Sequence, residues 1–121
     1  MTKGPIMTNN PAFFVDLFAP WAPVSARRMF GGLGLYRCGV MFALVAEGTL
    51  YLKVDDLNHR DFAEACGRPF VYDGKGRPIT MSYWTPPEDI FDDAEALKRW
   101  AQLAYDAALR AAGRRGRPTL E

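Results

Sequence analysis

The stretch GGLGLYRCGVMFALVAEGTLYLKV, Gly31 to Val54, decides how this chain is read. Glycine density at its start resembles a phosphate-cradling loop, but the residues after the glycines pattern as a chain of strands. Leu33 to Arg37 is a candidate strand, turned at Cys38-Gly39. Val40 to Ala46 is seven apolar residues without alternation, the pattern of a strand buried on both faces. Glu47-Gly48 makes the next two-residue turn, with glycine supplying positive φ. TLYLKV then alternates strictly: Leu50, Leu52 and Val54 face one way, Tyr51 and Lys53 the other. A dinucleotide fingerprint needs a helix after its glycines, so that the helix N-terminus meets the pyrophosphate. Here a strand pair takes that place, so the glycines read as structural. Gly31 and Gly32 are expected at a bulge or bend, and Gly34 at a close approach of backbone or helix.

Upstream, Asn10-Pro11 is an N-cap followed by proline at the first helical position. The helix PAFFVDLFA should stop before Pro20, with Phe14, Leu17 and Phe18 on one face. Arg27 to Phe30 is a short strand. Downstream, Asp55 or Asp56 caps a helix LNHRDFAEAC, with Leu57, Phe62, Ala65 and Cys66 inward and Gly67 at C′. PFVY, the turn DGKG and RPITMSYW form another hairpin. Thr85-Pro86-Pro87-Glu88 reads as a capping box before a short turn, and Asp92 with Glu95 as another before the last helix. There Leu97, Trp100, Ala101, Ala104 and Ala108 form one apolar stripe, ending at Gly113. The class is α+β: an antiparallel sheet of about five to six strands with helices packed on it. The order is α-β-β-β-α-β-β-α, with three or four strands before the second helix. Residues 1–112 form the domain and 113–121 a basic flexible tail.

Composition excludes several classes. At 121 residues, 49% apolar and 24% charged, the chain is an ordinary one-domain globular protein. A net charge of +1 argues against a surface that coats nucleic acid. The longest apolar run is too short to span a bilayer, and the N-terminal residues do not read as a secretory signal. Cytoplasmic residence without a membrane partner is expected. Two cysteines make no disulfide framework. His59 is the chain's single histidine, on a helix without a nearby nucleophile, and reads as solvated. One histidine and two separated cysteines are too few for zinc. Glu88, Asp89, Asp92, Asp93 and Glu95 read as helix-start acids rather than cation ligands. Cys38, although beside Arg37, has no further activating group. No enzyme, cofactor or metal is expected.

Two features carry functional signal. Lys53 shares a face with Tyr51 at the end of an apolar strand; with Arg27 and Arg28 it sketches a basic, aromatic-rimmed partner surface. In the tail GRRGRP, Arg114, Arg115 and Arg117 are the candidate nucleic-acid-binding residues. Their Arg-Gly-Arg core suits a narrow A·T minor groove, where negative potential is focused.

RRMFGGLGLYRCGVMFALVAEGTLYLKVDD, followed by PFVYDGKGRPITMSYWTPPEDIFDDAEALKRWAQLAYDAA, resembles the N-terminal domain of the TfoX/Sxy family of bacterial competence regulators. The shared elements are the MFGG opening, the LYLKVD strand end, the PF-Y pair, the YW-PPE junction and the tryptophan-bearing last helix. The resemblance covers about Phe13 to Ala112, and longer members carry a second, C-terminal domain. It implies a non-enzymatic module that helps a transcription activator at promoters of DNA-uptake genes. The implied partner is a protein of transcription activation, with weak DNA contact through the tail; a homodimer stays among the partner readings. The alternative is a small-ligand or protein-binding α+β domain unrelated to transcription.

Overall fold

A computed structural model describes residues 7–29, 31–74 and 76–114. Its elements are α1 (Pro11–Phe18), β1 (Ser25–Met29), β2 (Gly32–Arg37), β3 (Val40–Ala46), β4 (Thr49–Lys53), α2 (His59–Glu64), β5 (Pro69–Gly74), β6 (Arg77–Trp84), a 3-10 turn (Glu88–Phe91) and α3 (Ala94–Arg114). The strands form one antiparallel six-stranded sheet in the order β1-β2-β3-β4-β6-β5. The expected α+β class and element order are therefore present, with the fourth strand before α2 realised.

Two tight turns set the register of the central strands. Cys38 and Gly39 have φ of 50° and 78°, and Glu47 and Gly48 have 50° and 80°. Positive φ at both central positions matches the right-handed twist of the strands they join. The second turn is also pinned from outside: Thr8 N–H donates to the Gly48 carbonyl at 2.9 Å, and Gly48 N–H to Asn9 Oδ1 at 3.0 Å.

All three helices lie on one face. There Phe14, Phe18, Leu35, Phe42, Leu52, Phe62, Leu97 and Trp100 form one buried cluster. Its aromatic rings meet edge to face: Phe18–Phe42 at 5.2 Å and Phe62–Trp100 at 4.9 Å between centroids. That geometry sets the positive rim of one ring against the negative face of the next. The apolar stripe of α3 is buried as its periodicity predicts, and Tyr105 and Ala107 extend it. Asn10 caps α1 through its side chain, which accepts from Ala12 N–H at 3.0 Å.

The missing alternation in β3 has a local cause. The register slips between Leu35 and Tyr36: Leu35 faces Ala43 while Tyr36 faces Met41. Phe42 is the extra residue of a bulge, so Phe42 and Ala43 both turn to the core and are fully buried. The bulge thus lies here and not at Gly31-Gly32. Gly31 sits in the β1–β2 turn, with φ 77°. Gly32 is a close-approach site, since a Cβ there would fall 1.9 Å from the Val45 carbonyl oxygen.

Other boundaries differ from expectation for similar reasons. β1 begins at Ser25, because Ser25 and Ala26 pair with Tyr36 and Leu35. α2 starts only at His59; the Asp55 carboxylate caps the turn before it, accepting from Leu57 N–H at 3.0 Å and Asn58 N–H at 3.2 Å. Leu57 is 70% exposed and Cys66 is exposed too, so neither lines the inner face. The left-handed residue ending α2 is Cys66, φ 63°, one position before Gly67. Cys66 N–H reaches the Ala63 carbonyl and Gly67 N–H the Phe62 carbonyl, the paired bonds of a Schellman closure. Gly67 is needed for space: a Cβ would lie 2.6 Å from the Thr85 carbonyl oxygen. The Thr85 hydroxyl caps no helix; it accepts from Arg68 N–H at 2.9 Å. Asp93, rather than Asp92, caps α3 by accepting from Glu95 and Ala96 N–H groups. α3 runs through Gly113 to Arg114.

Candidate functional site

With the helices on one side, no described helix covers the other side of the sheet, called the open face below. Strand alternation places Arg27 and Met29 of β1 there, with Tyr36 of β2 and Met41 and Leu44 of β3. Tyr51 and Lys53 of β4 share that side, followed by Tyr83 of β6, the strand partner of Lys53. Leu44 is only 9% exposed yet stands apart from the helix-side core cluster, as a residue of the open face should. Tyr51 and Phe70 lie on strands that are not neighbours, yet their rings are 5.1 Å apart. The β5–β6 hairpin therefore curls over the open face and makes it concave.

Gly34 shapes the floor of this concavity. A Cβ there would fall 2.6 Å from Met29 Sδ, 3.1 Å from Tyr36 Cε1 and 3.3 Å from Met41 Sδ. The close approach is thus of three open-face side chains, and not of a backbone segment or helix. A cleft of about 470 Å³ spans the face between Met29, Met41 and Leu44 on one side and Phe70, Tyr72 and Met81 on the other. A second cleft, about 520 Å³, opens towards Ala108 and Ala112 of α3. Met41, Lys53 and Tyr83 line both.

Lys53 is held where the clefts meet. Its Nζ donates to Ser82 Oγ at 2.8 Å and lies 5.0 Å from the Tyr83 ring centroid. Its backbone is fixed from below by Asn58, which is 1% exposed. Asn58 Nδ2 donates to the Lys53 carbonyl at 3.2 Å and to the Leu103 carbonyl of α3 at 3.0 Å. Asn58 Oδ1 accepts from Asp55 N–H at 2.8 Å. Asp55 in turn takes two bonds from Arg110 of α3, from Nε at 2.6 Å and from Nη2 at 2.9 Å. The Arg110 hydrogen bonds, the largest cause, hold the Asp55 carboxyl below its ordinary range against the effect of burial.

The sequence-based partner surface is therefore assembled in part. Arg27, Tyr51 and Lys53 share the open face, and the Arg27 guanidinium lies 5.1 Å from the Tyr36 ring centroid. Arg28 follows Arg27 in the same strand and pairs with core-facing Leu33, so it projects from the helix side. Burial raises the Tyr51 hydroxyl above its ordinary pKa, with Arg68 opposing and Glu47 adding. Met41, Phe70, Tyr72, Met81 and Tyr83 were not singled out by sequence reasoning. The spacing of Phe70 with Tyr72 and of Met81 with Tyr83 was an available signal, but not the strand order that brings them beside Lys53.

The remaining candidates are dispersed. His59 is exposed, its ring edge-on to Trp84 at 5.0 Å. Cys38 is exposed in the β2–β3 turn beside Tyr105, whose hydroxyl is raised chiefly by burial and further by Cys38. Arg37 sits between two rings, 4.6 Å from Trp21 and 4.8 Å from Tyr105. Among the described residues, no group of three or more His, Cys, Asp or Glu side chains is placed to hold a metal ion. Among them too, no helix is long and apolar enough to cross a membrane. Arg114 is the last described residue, on the final turn of α3; Arg115 and Arg117 lie outside the described residues.

Fold and surface together define an α+β domain with one helix-covered and one open, concave sheet face. The chain belongs to the TfoX N-terminal domain family, whose model matches residues 16–108. It is also similar to Protein Sxy of Escherichia coli (strain K12), with 25% identity over 95 residues. That match covers 78% of this chain and 46% of Sxy, so the chain spans about half the length of this curated relative.

Proposed function

We propose that this chain is a non-enzymatic regulatory module of the TfoX/Sxy kind, working in the cytoplasm by contact with a protein of the transcription machinery. The observation that carries the reading is the open sheet face, on a domain that belongs to a family of competence-regulator type. Tyrosine, methionine and arginine are the side chains that protein interfaces favour, and the concave face concentrates them. DNA contact, in this reading, is weak and supplied by Arg114, Arg115 and Arg117.

The test is capture of RNA polymerase or a transcription activator by the tagged chain from nuclease-treated lysate of its own cells, repeated with the purified partner. Tyr51→Glu and Lys53→Glu should each reduce capture at least about tenfold, as loss of a central interface residue does. Far-ultraviolet circular dichroism confirms that the variants fold. Capture unaffected by either substitution, or lost with nuclease alone, would overturn the proposal.

A further inference from the structure

β1 is the end strand of the sheet, and its chemistry favours one kind of partner. It pairs with β2 over all five of its residues without a slip in register, so its outer edge is regular. Among the described residues, no strand pairs with that edge. A regular edge presents a row of backbone N–H and C=O groups that templates another strand. Sheets commonly blunt such edges with proline, lysine or a bulge; SARRM, Ser25 to Met29, has none of these. It has instead Arg27 and Arg28, both exposed, one on the open face and one on the helix side. Among the described residues, neither joins an ion pair. The surroundings share their sign. Between Asp16 and Glu47 the sequence has three arginines and no acidic residue, and β1, β2 and β3 all lie within that stretch. A guanidinium fork donates two parallel bonds to a carboxylate, a match that an ammonium does not make.

From this placement we infer that the outer edge of β1 takes an added β-strand from an acidic protein segment. Side chains alternate along a strand, so the residues that meet Arg27 and Arg28 are consecutive. The segment therefore carries two adjacent acidic residues, one carboxylate to each face of the sheet. Charge disfavours a second copy of this chain, because pairing β1 with itself over its full length sets Arg27 directly against Arg27. Nucleic acid would engage the guanidinium on one face and leave the backbone edge unused. The inference goes beyond the open-face reading and does not rest on it. Binding is read on the purified chain alone, so its failure leaves that reading in place.

The probe is a blocked octapeptide of threonine and valine with two adjacent glutamates at its centre. The readout is the amide spectrum of the full chain. The amides of Ser25 to Met29 should shift together and saturate. The same peptide with glutamines for glutamates should bind at least about fivefold more weakly. So should one with a threonine between the two glutamates, which puts both carboxylates on one face. Arg28→Gln should weaken the glutamate peptide by a similar factor, and Arg27→Glu with Arg28→Glu should reverse the preference towards a peptide carrying two lysines. Methylating alternate backbone nitrogens of the peptide should abolish binding in one phase and spare it in the other, because only alternate N–H groups face the edge. The unshifted part of each variant's spectrum shows that it is folded. No saturable shift of the β1 amides would overturn the inference. So would equal affinity for the glutamate and glutamine peptides, or a short DNA duplex that shifts the same amides at lower concentration than the peptide does.

Discussion

Replacing Arg110 by methionine keeps the apolar stem of the side chain and removes its guanidinium. The loss falls on Asp55, whose side chain is 9% exposed and which keeps its bonds from Leu57 and Asn58 N–H. Two charge-assisted bonds, at 2.6 and 2.9 Å, disappear. Breaking a fully buried ion pair costs about 3–5 kcal/mol. Arg110 is 33% exposed, however, so solvent already screens part of the attraction. We expect about 2 kcal/mol, within the range for hydrogen bonds to charged groups. For a domain of this size that corresponds to a fall in Tm of roughly 8 °C. The pH dependence identifies the cause. The Asp55 carboxyl is held below its unfolded value, so the pair's contribution is complete above the unfolded pKa, about 3.9. It is lost as pH falls through the folded pKa. Urea unfolding of Arg110→Met and the parent chain at pH 7 should differ by the full amount, and the gap should narrow steadily below about pH 4. Other carboxylates titrate in both proteins and cancel in the difference. A midpoint unchanged at pH 7, or a gap equally wide at low pH, would refute the reasoning.

Three further outcomes are expected. Trp100, 6% exposed against Phe62, should cost about 3–5 kcal/mol when replaced by alanine, leaving the domain unfolded or nearly so in thermal melts; a melt within a few degrees of the parent contradicts this placement of α3. Cys66→Gly should stabilise by about 0.5 kcal/mol, because relief of a left-handed non-glycine residue outweighs the added freedom of the unfolded chain; a lower urea midpoint would contradict it. If Arg114, Arg115 and Arg117 supply the DNA affinity, log K should fall with log salt at a slope of about −2.7, roughly forty-fold weakening from 50 to 200 mM. Arg117→Ala should then abolish any preference for A·T-rich duplex, and salt-independent or tail-independent binding would exclude this mode.

Local chemistry made much of the fold legible. The i, i+3, i+4 stripe of α3 and the Cys38-Gly39 and Glu47-Gly48 turns depend on neighbours within a few residues, and each appears where the pattern places it. The illegible part depends on contacts far along the chain. β4 and β6 are separated in sequence by α2 and β5, and nothing local in TLYLKV announces that Lys53 will pair with Tyr83. The open face depends on that pairing, so only Arg27, Tyr51 and Lys53 of its residues could be anticipated. Capping errors had a subtler origin. Asp92 and Asp93, or Cys66 and Gly67, offer the backbone nearly equivalent choices one residue apart. At Gly67 the deciding factor is space, because the Thr85 carbonyl approaches too closely for any Cβ. The bulge at Phe42 is likewise invisible in a run of apolar residues, since it changes which face a residue meets without changing its hydropathy.

Asn58 joins the stability of the domain to the surface proposed to act. Its amide bridges the Lys53 and Leu103 carbonyls, while its oxygen takes the Asp55 N–H. Every link is a hydrogen bond from a buried or partly buried group, where low dielectric makes a missing partner expensive. The end of β4 is therefore tied to α3 twice, through Asn58 to Leu103 and through Asp55 to Arg110. A recognition group gains precision when its backbone is locked by supporting bonds on rigid elements. Lys53 meets that condition although its side chain stands on the opposite face of the sheet from the helices. Loosening the Asp55–Arg110 pair should therefore reach the open face through the Lys53 backbone, disturbing the ammonium position at the meeting point of the two clefts.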